Sequence, residues 1–249
     1  MLLSGNTILI TGGATGIGFS LAEQFIALGN EVIICGRREE KLNEAKAKLP
    51  KLTTRVCDVA KPTERLALLE WVTKEFKNLN VLVNNAGIQR DVDFLNMDKD
   101  WSYYAEEITV NLEAPIHLSS LFIPYLQQQK NAAIINLSSG FAFVPKATFP
   151  VYCAIKAAIH SLSLTMRYQL RNTGIELYEV MPPNVITELN LESRIKRNSV
   201  NSGVPAAEFT EFVIKGLERG DWEIAYGMAE ERRTSSHEQS IELFKKMNP

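Results

Sequence analysis

The sequence predicts an α/β fold with a doubly wound, parallel, seven-stranded sheet and helices on both faces. Short apolar runs rich in β-branched residues alternate with amphipathic helical patterns along the chain, as in consecutive βαβ units. Right-handed crossovers between parallel strands place the helices on both faces. The chain has 249 residues, 45% of them hydrophobic, and no Pro- or Ser-rich linker, so we expect a single domain over 1–249.

Each element follows from the periodicity of apolar residues. Strands are predicted at 7–11, 31–35, 53–57, 80–84, 132–138, 175–181 and 222–226. Helices are predicted at 16–28, 39–48, 63–77, 101–126, 152–172 and 206–219, and a helical tail at 229–249 is amphipathic over 229–246. The segment 188–205 is polar and poorly periodic, which indicates either a loop that covers a substrate or a solvated connector.

Composition and charge narrow the class of protein. The net charge of −2 gives no electrostatic reason to expect nucleic acid or anionic lipid as a partner. No apolar run approaches the ~20 residues of a membrane span, and the first strand begins where a signal peptide would stand. The cysteines Cys35, Cys57 and Cys153 are far apart, which favours a reducing, cytoplasmic location without disulfides.

A glycine-rich turn joins the first strand to the first helix. It reads Thr11-Gly12-Gly13-Ala14-Thr15-Gly16-Ile17-Gly18. In this context glycines let the backbone approach a pyrophosphate, and the helix N-terminus offers N–H donors and partial positive charge. We therefore predict a Rossmann fold that binds a dinucleotide through Gly12, Ala14, Thr15, Gly16, Ile17 and Gly18.

Two arginines follow the second strand, where NAD-binding proteins carry an acidic residue for the ribose. Arg37 and Arg38 suit a 2′-phosphate instead, because guanidinium groups form charge-assisted bonds to phosphate oxygens. This favours NADP(H) over NAD(H). The alternative is that both arginines merely open the charged second helix.

Further candidates for cofactor binding follow the third and fourth strands: Asp58, Val59, Asn85, Ala86 and Gly87. A carboxylate at Asp58 could accept a bond from an adenine amino group, or could cap the next helix. The run Asn84-Asn85-Ala86-Gly87 suits a backbone that passes close to a cofactor, although asparagines also satisfy turns without any ligand.

Ser139, Tyr152 and Lys156 form the candidate catalytic set. Ser139 follows the fifth strand, and Tyr152 and Lys156 lie one turn apart on the next helix. A phenol has a pKa near 10, but an ammonium at ~4 Å would favour the phenolate by roughly 4 kcal/mol, or about three pKa units, at an effective dielectric of about 20. We therefore expect a phenol tuned for acid–base catalysis, with the Ser139 hydroxyl bonded to a substrate carbonyl.

These motifs, in this order, resemble the short-chain dehydrogenase/reductase family over residues 5–226. The turn matches its Thr-Gly-x-x-x-Gly-x-Gly signature, and Asn111 matches a fourth catalytic position. The resemblance implies an NAD(P)(H)-dependent oxidoreductase that interconverts a carbonyl and an alcohol. Tyr152 would transfer the proton, Ser139 would position the carbonyl, Lys156 would bind the nicotinamide ribose, and Asn111 would hold a water of a proton relay.

The resemblance also implies that Thr187 binds the carboxamide of the cofactor and that the long helices build a homodimer or homotetramer. Pro183 departs from the family, which has glycine there, and proline fixes φ and removes an N–H. Arg37, the Pro182-Pro183 pair and the tail resemble one branch, the oxidoreductases encoded with the D-alanylation machinery of Gram-positive teichoic acids.

Other functions fit the sequence less well. A regulatory protein that binds a dinucleotide without catalysis would have no need of the complete set of four residues. A serine hydrolase would carry Ser-x-x-Lys, but Ala142 stands three residues after Ser139. The histidines His117, His160 and His237 are scattered, so no metal site is expected and structural roles are favoured for His117 and His160.

The substrate remains open at this stage. Its pocket is expected to involve segment 188–205 and Ile88, Gln89, Phe94, Phe141, Phe143 and Phe149, whose rings suit a partly hydrophobic carbonyl compound or simply belong to the core. Arg194, Lys196 and Arg197 could meet an acidic substrate, or could be solvated.

Overall fold

Seven parallel strands form one sheet in the spatial order β3-β2-β1-β4-β5-β6-β9 in a computed structural model, which describes residues 1–248. The strands are β1 (Thr7–Thr11), β2 (Glu31–Gly36), β3 (Thr53–Val56), β4 (Leu79–Asn84), β5 (Ala133–Leu137), β6 (Glu176–Met181) and β9 (Glu223–Ala225). The predicted fold class is confirmed. The chain order reverses between β1 and β4, which is the switch point where such sheets bind ligands.

Helices cover both faces of the sheet. They are α1 (Gly16–Ala27), α2 (Glu39–Lys48), α3 (Pro62–Glu75), α4 (Trp101–Ile108), α5 (Ala114–Leu126), α6 (Pro150–Leu170), α7 (Leu191–Lys196), α8 (Ala206–Arg219), α9 (Met228–Thr234) and α10 (His237–Met247). Alternate residues of β1 face opposite sides, so Ile8 and Ile10 pack in one core layer and Leu9 in the other. Both layers are apolar because the central strands are buried on both faces.

The predicted helix over 101–126 is interrupted by a π-helical turn at Thr109–Glu113, in which the N–H of Ala114 donates to the carbonyl of Thr109. Pro115 is the second residue of α5, after Ala114. Because proline has no N–H, it cannot donate to the carbonyl of Asn111 four residues earlier, and the regular α-helical register cannot continue there. The interruption places Asn111 inside the irregular turn.

Two further segments differ from the prediction. Within 188–205 the chain forms α7 and the strand β8 (Val204–Pro205), which pairs with β7 (Val185–Ile186) in a second, two-stranded sheet. The amphipathic tail is two helices, because Ser236 starts α10 with a capping box that it shares with Gln239. No helix within residues 1–248 is long and apolar enough to cross a membrane.

Candidate active site

The candidate residues lie along the edge of the sheet where the strands end. Gly12, Ala14, Thr15, Gly16, Ile17 and Gly18 follow β1, Arg37 and Arg38 follow β2, Asp58 and Val59 follow β3, Asn85, Ala86 and Gly87 follow β4, Ser139 follows β5, and Thr187 follows β7. Asn111 lies in the π-helical turn, and Tyr152 and Lys156 lie in α6. Parallel strands bring these ends together because they all point the same way.

The turn after β1 packs tightly against the end of β4. Gly12 has φ +64°, and a Cβ there would lie 2.7 Å from Ala86 Cα. Thr11 Oγ1 accepts the N–H groups of Asn85 at 3.1 Å and Ala86 at 3.0 Å. The amide of Asn85 in turn donates to the carbonyl oxygens of Thr11 and Gly12, at 2.9 and 3.1 Å. The side chain of Asn85 therefore holds the turn in place.

The N-terminus of α1 suits an anionic group. Thr15 precedes the helix, and its side chain makes no capping hydrogen bond. A cleft of ≈ 560 Å³ opens beside the turn and is lined by Ala14, Thr15, Gly16, Lys41, Thr187 and Glu188, among others. A Cβ on Gly16 would lie 3.0 Å from Thr187 Cγ2, so Thr187 reaches the turn although Pro183 precedes it. These features fit a pyrophosphate at the helix N-terminus.

The two arginines after β2 point in different directions. Arg38 Nη2 donates to Thr15 Oγ1 at 3.4 Å, and its Nη1 pairs with Glu188 at 2.9 Å. Arg37 Nη1 pairs instead with Glu106 of α4 at 2.8 Å. Only Arg38 of this pair contacts the glycine-rich turn.

The residues after β3 have local partners. Asp58 Oδ1 accepts the N–H of Ala60 at 3.0 Å, within the turn before α3. Val59 is buried in the core layer. The alternative left open for Asp58, a cap of the next helix, is not found, because Lys61 is the residue that precedes α3 and Asp58 bonds within the turn before it. A bond to adenine stays a prediction.

Asn111 binds the chain that follows β4. Its Oδ1 accepts the N–H of Ile88 at 2.8 Å, and its Nδ2 donates to the carbonyl of Ile88 at 2.7 Å. A Cβ on Gly87 would lie 3.3 Å from Asn111 Oδ1. The side-chain amide of Asn111 therefore fixes the backbone at Ile88, in the chain that follows β4.

Tyr152 and Lys156 are both buried on α6. Lys156 Nζ donates to the carbonyl of Leu137 at 2.8 Å and lies 5.3 Å from the centroid of the Tyr152 ring. Pro150, the first residue of α6, sets the start of this helix. The candidate catalytic residues Ser139, Tyr152 and Lys156 therefore lie together between the end of β5 and the first turns of α6.

The expected lowering of the tyrosine pKa is not found. Burial raises the pKa of Tyr152, the negative charge of Glu107 raises it further, and a hydrogen bond with Ser139 opposes both. Burial also lowers the pKa of Lys156 to about 8. The predicted lowering of the Tyr152 pKa is wrong because it follows from the attraction between the phenolate and the ammonium alone, whereas burial desolvates both groups.

Glu107 is a residue that the sequence analysis missed. It is fully buried on α4, and burial raises its pKa to about 7. The sequence held a usable signal, because Glu107 stands four residues before Asn111 and so on the same helix face.

The aromatic residues proposed for the pocket separate into different environments. Phe141, Phe149 and Tyr152 pack in one cluster. The ring of Phe143 contacts that of His160 edge to face, with the centroids 4.7 Å apart, and Phe94 is 66% exposed. The cluster around Tyr152 is therefore the apolar wall nearest the catalytic set.

Segment 188–205 is anchored by charged residues. Arg194 is buried and donates to the carbonyl oxygens of Val185 at 3.0 Å and Ser202 at 2.7 Å. Arg194 therefore neither meets a substrate nor is solvated, since it holds the segment together. Asp91 accepts bonds from Asn190 at 2.8 Å, from Arg197 at 2.8 Å and from Ser193.

His160 pairs with a buried carboxylate on β6, that of Glu179. Its Nδ1 lies 2.9 Å from Glu179 Oε2, and the buried Glu179 also accepts the hydroxyl of Ser138. The hydrogen bond with Glu179 raises the pKa of His160. Among residues 1–248 no group of three or more His, Cys, Asp or Glu side chains is placed to hold a metal ion.

Sequence comparison identifies the family. The sequence model of the short chain dehydrogenase family matches residues 6–198, and the chain belongs to this family. It is 48% identical over 248 residues to the uncharacterized oxidoreductase DltE of Bacillus subtilis (strain 168), with 100% of this chain and 98% of that protein covered. The predicted family is confirmed, and so is the resemblance to the DltE branch drawn from Arg37, the Pro182-Pro183 pair and the tail.

More distant relatives and solved structures agree. A tropinone reductase homolog of Arabidopsis thaliana is 32% identical over 195 residues, which is 75% of this chain and 72% of that protein. A short-chain dehydrogenase from Sphingobium yanoikuyae in complex with NADPH has a TM-score of 0.80 at 25% identity, covering 88% and 87% of the two chains. One from Burkholderia phymatum in complex with NAD shares the fold, with a TM-score of 0.85 at 22% identity and 100% and 98% coverage.

Proposed function

We propose that the protein is an NADP(H)-dependent oxidoreductase that interconverts a carbonyl and an alcohol, with Tyr152 as the general acid and base. The observation that carries the proposal is the close approach of Ser139, Tyr152 and Lys156 to one another, at the same edge of the sheet as the glycine-rich turn. The nicotinamide cofactor, when bound, would supply or accept the hydride. The remaining steps, which are binding of the carbonyl and transfer of the proton, are carried out by side chains of this protein.

In the reductive direction the substrate carbonyl oxygen accepts hydrogen bonds from Ser139 and Tyr152. Tyr152 then donates its phenolic proton to that oxygen as the alcohol forms. Burial raises the pKa of Tyr152, so the free protein keeps the phenol protonated and ready to donate. Lys156, held by the carbonyl of Leu137 at 2.8 Å, stabilises the phenolate by its positive charge.

The preference for NADP(H) is supported by Arg38, which lies beside Thr15 at the turn. A 2′-phosphate at this position would take the place of the Glu188 carboxylate as its partner. The structural relatives include complexes with NADPH and with NAD. In this chain the pyrophosphate would lie at Gly16–Gly18, and Thr187 would contact the carboxamide.

We also propose a cytoplasmic homodimer or homotetramer. Apolar side chains are exposed on the helices that would pair: Trp101 on α4, Ile116 on α5, and Leu164 and Tyr168 on α6. Burying such a face against a second copy removes apolar area from water. The three cysteines are buried and free, as expected in a reducing compartment.

The proposal is tested by binding and turnover with the wild-type protein. Quenching of tryptophan fluorescence is titrated with NADPH and with NADH, and a panel of ketones, aldehydes and secondary alcohols is then screened with the preferred cofactor. We expect tighter binding of NADPH and substrate-dependent oxidation of NADPH with at least one carbonyl. Binding without turnover of any substrate would instead identify a silent dinucleotide-binding protein.

A further inference from the structure

Helix α4, which packs against α6, carries a buried carboxyl group that the proposed mechanism does not use. Glu107 is 0% exposed, whereas the side chain of its neighbour Glu106 pairs with the guanidinium groups of Arg37 and Arg90. Glu107 Oε1 accepts the backbone N–H of Arg90 at 3.3 Å. Within residues 1–248 its Oε2 has no hydrogen-bond partner. A carboxyl group in this setting is costly to ionise, so its presence calls for a role.

The position of Glu107 in the helix links it to the site. Glu107 stands one turn before Asn111, and α4 packs against α6. Asn111 holds Ile88 through two hydrogen bonds, and Glu107 holds Arg90 two residues further along. Glu107 and Asn111 therefore both fix the chain that leaves β4, and the helix that carries Glu107 packs against the helix that carries Tyr152.

The charged and titratable groups around Glu107 come from three elements. Arg90 faces it from the loop after β4, Tyr152, Cys153 and Lys156 face it from α6, and Glu106 is its neighbour on α4. The negative charge of Glu107 raises the pKa of both Tyr152 and Lys156. Glu179 acts on Lys156 in the same direction and is paired with His160.

We propose that Glu107 is a positioning residue for the Tyr152–Lys156 pair. It fixes the backbone at Arg90, and its charge acts on the pair across the contact between α4 and α6. This inference rests on the proposed function. As a carboxylate, Glu107 keeps the phenol and the ammonium protonated, which favours proton donation to a carbonyl. Once Glu107 is neutral, the phenolate that accepts a proton from an alcohol forms at lower pH.

The test is the pH profile of kcat/KM for alcohol oxidation in wild type, Glu107→Gln and Glu107→Asp, with the exposed Glu70→Gln on α3 as control. We expect Glu107→Gln to move the profile to lower pH by roughly one unit, because the variant removes a negative charge from the contact between α4 and α6. Glu107→Asp should restore most of the wild-type profile, and the Kd for NADPH should change less than twofold.

A second readout is independent of turnover. The pKa of the buried Glu107 carboxyl is about 7 in the folded protein and near 4.5 in the unfolded chain. The fold therefore becomes less stable as pH rises from 4.5 towards 7. The folding equilibrium constant of Glu107→Gln relative to wild type should therefore increase roughly tenfold or more between pH 5 and pH 8 in urea titrations. An unmoved pH profile in an active wild type would overturn the inference, as would a uniform loss of activity at every pH. Absence of turnover in the wild type would overturn the proposed function itself.

Discussion

Asp91 and Arg197 form an ion pair of 2.8 Å that joins the chain after β4 to the end of α7. Ser193 and Asn190 donate to the same carboxylate, so one side chain ties the whole segment 188–205 to the wall of the site. The pair is half exposed, and such pairs add little to global stability. We expect the pair to control instead how readily segment 188–205 opens.

Replacing Asp91 with alanine should loosen this segment without unfolding the protein. We expect the free energy of unfolding to change by about 1 kcal/mol or less, while trypsin cleaves within 194–197 several-fold faster. Asp98→Ala serves as control, since Asp98 pairs only with its exposed neighbour Lys99. Equal cleavage rates for Asp91→Ala and wild type would show that Asp91 does not hold the segment.

The two arginines after β2 should contribute unequally to cofactor binding. Arg38→Ala removes a guanidinium beside the turn, and a charge-assisted bond of about 1.5–3 kcal/mol corresponds to a roughly 10- to 100-fold weaker Kd for NADPH. Arg37→Ala should have a smaller effect because its guanidinium points to Glu106. Fluorescence titrations with NADPH and NADH measure both, and the Kd for NADH should stay within about threefold. The reverse order of effects would assign the phosphate to Arg37.

Gly18 should tolerate no side chain. A Cβ at Gly18 would lie 2.4 Å from Asn85 Nδ2 and 2.6 Å from the carbonyl oxygen of Gly12. Gly18→Ala should therefore lower Tm by several degrees and weaken cofactor binding, although alanine favours helices more than glycine does. A Cβ at Gly36 would approach no atom closer than Leu42 Cδ2 at 4.0 Å, so Gly36→Ala should leave Tm nearly unchanged. A stable Gly18→Ala protein would contradict the packing described for the turn.

The His160–Glu179 pair should make stability depend on pH. The hydrogen bond raises the pKa of His160 in the folded protein, so the stabilisation is complete below its unfolded value near 6.5 and is lost as pH rises through the folded value. The difference in unfolding free energy between wild type and His160→Gln should be larger at pH 6 than at pH 9. His237→Gln, on the exposed start of α10, is the matched control substitution. A constant difference for His160→Gln would contradict the role of the pair.

Periodicity predicted the centre of the sheet well because β1, β4 and β5 are fully buried and consist mainly of apolar residues. The sequence also predicted which residues follow each strand, and parallel topology then places them at one edge. The role of each candidate residue stays a prediction, since position alone does not measure activity.

Three features were not predicted from the sequence. The break in the helix over 101–126 had a local signal in Pro115, which cannot donate to the carbonyl four residues earlier. Arg194 looked like a solvated charge because its acceptors are backbone carbonyls, which carry no sequence signal. The pKa of Tyr152 depends on burial and on Glu107, which belongs to a helix distant in sequence.

The central claim is that Tyr152 transfers the proton and that the cofactor binds whether or not the Tyr152 hydroxyl is present. The most direct measurement compares wild type and Tyr152→Phe for the Kd of NADPH and for kcat with the best carbonyl from the panel. We predict an unchanged Kd, within about twofold, and a fall in kcat of about 100-fold or more, because general acid catalysis contributes roughly 10²–10⁴. A phenylalanine variant that reduces the carbonyl as fast as wild type would contradict the account.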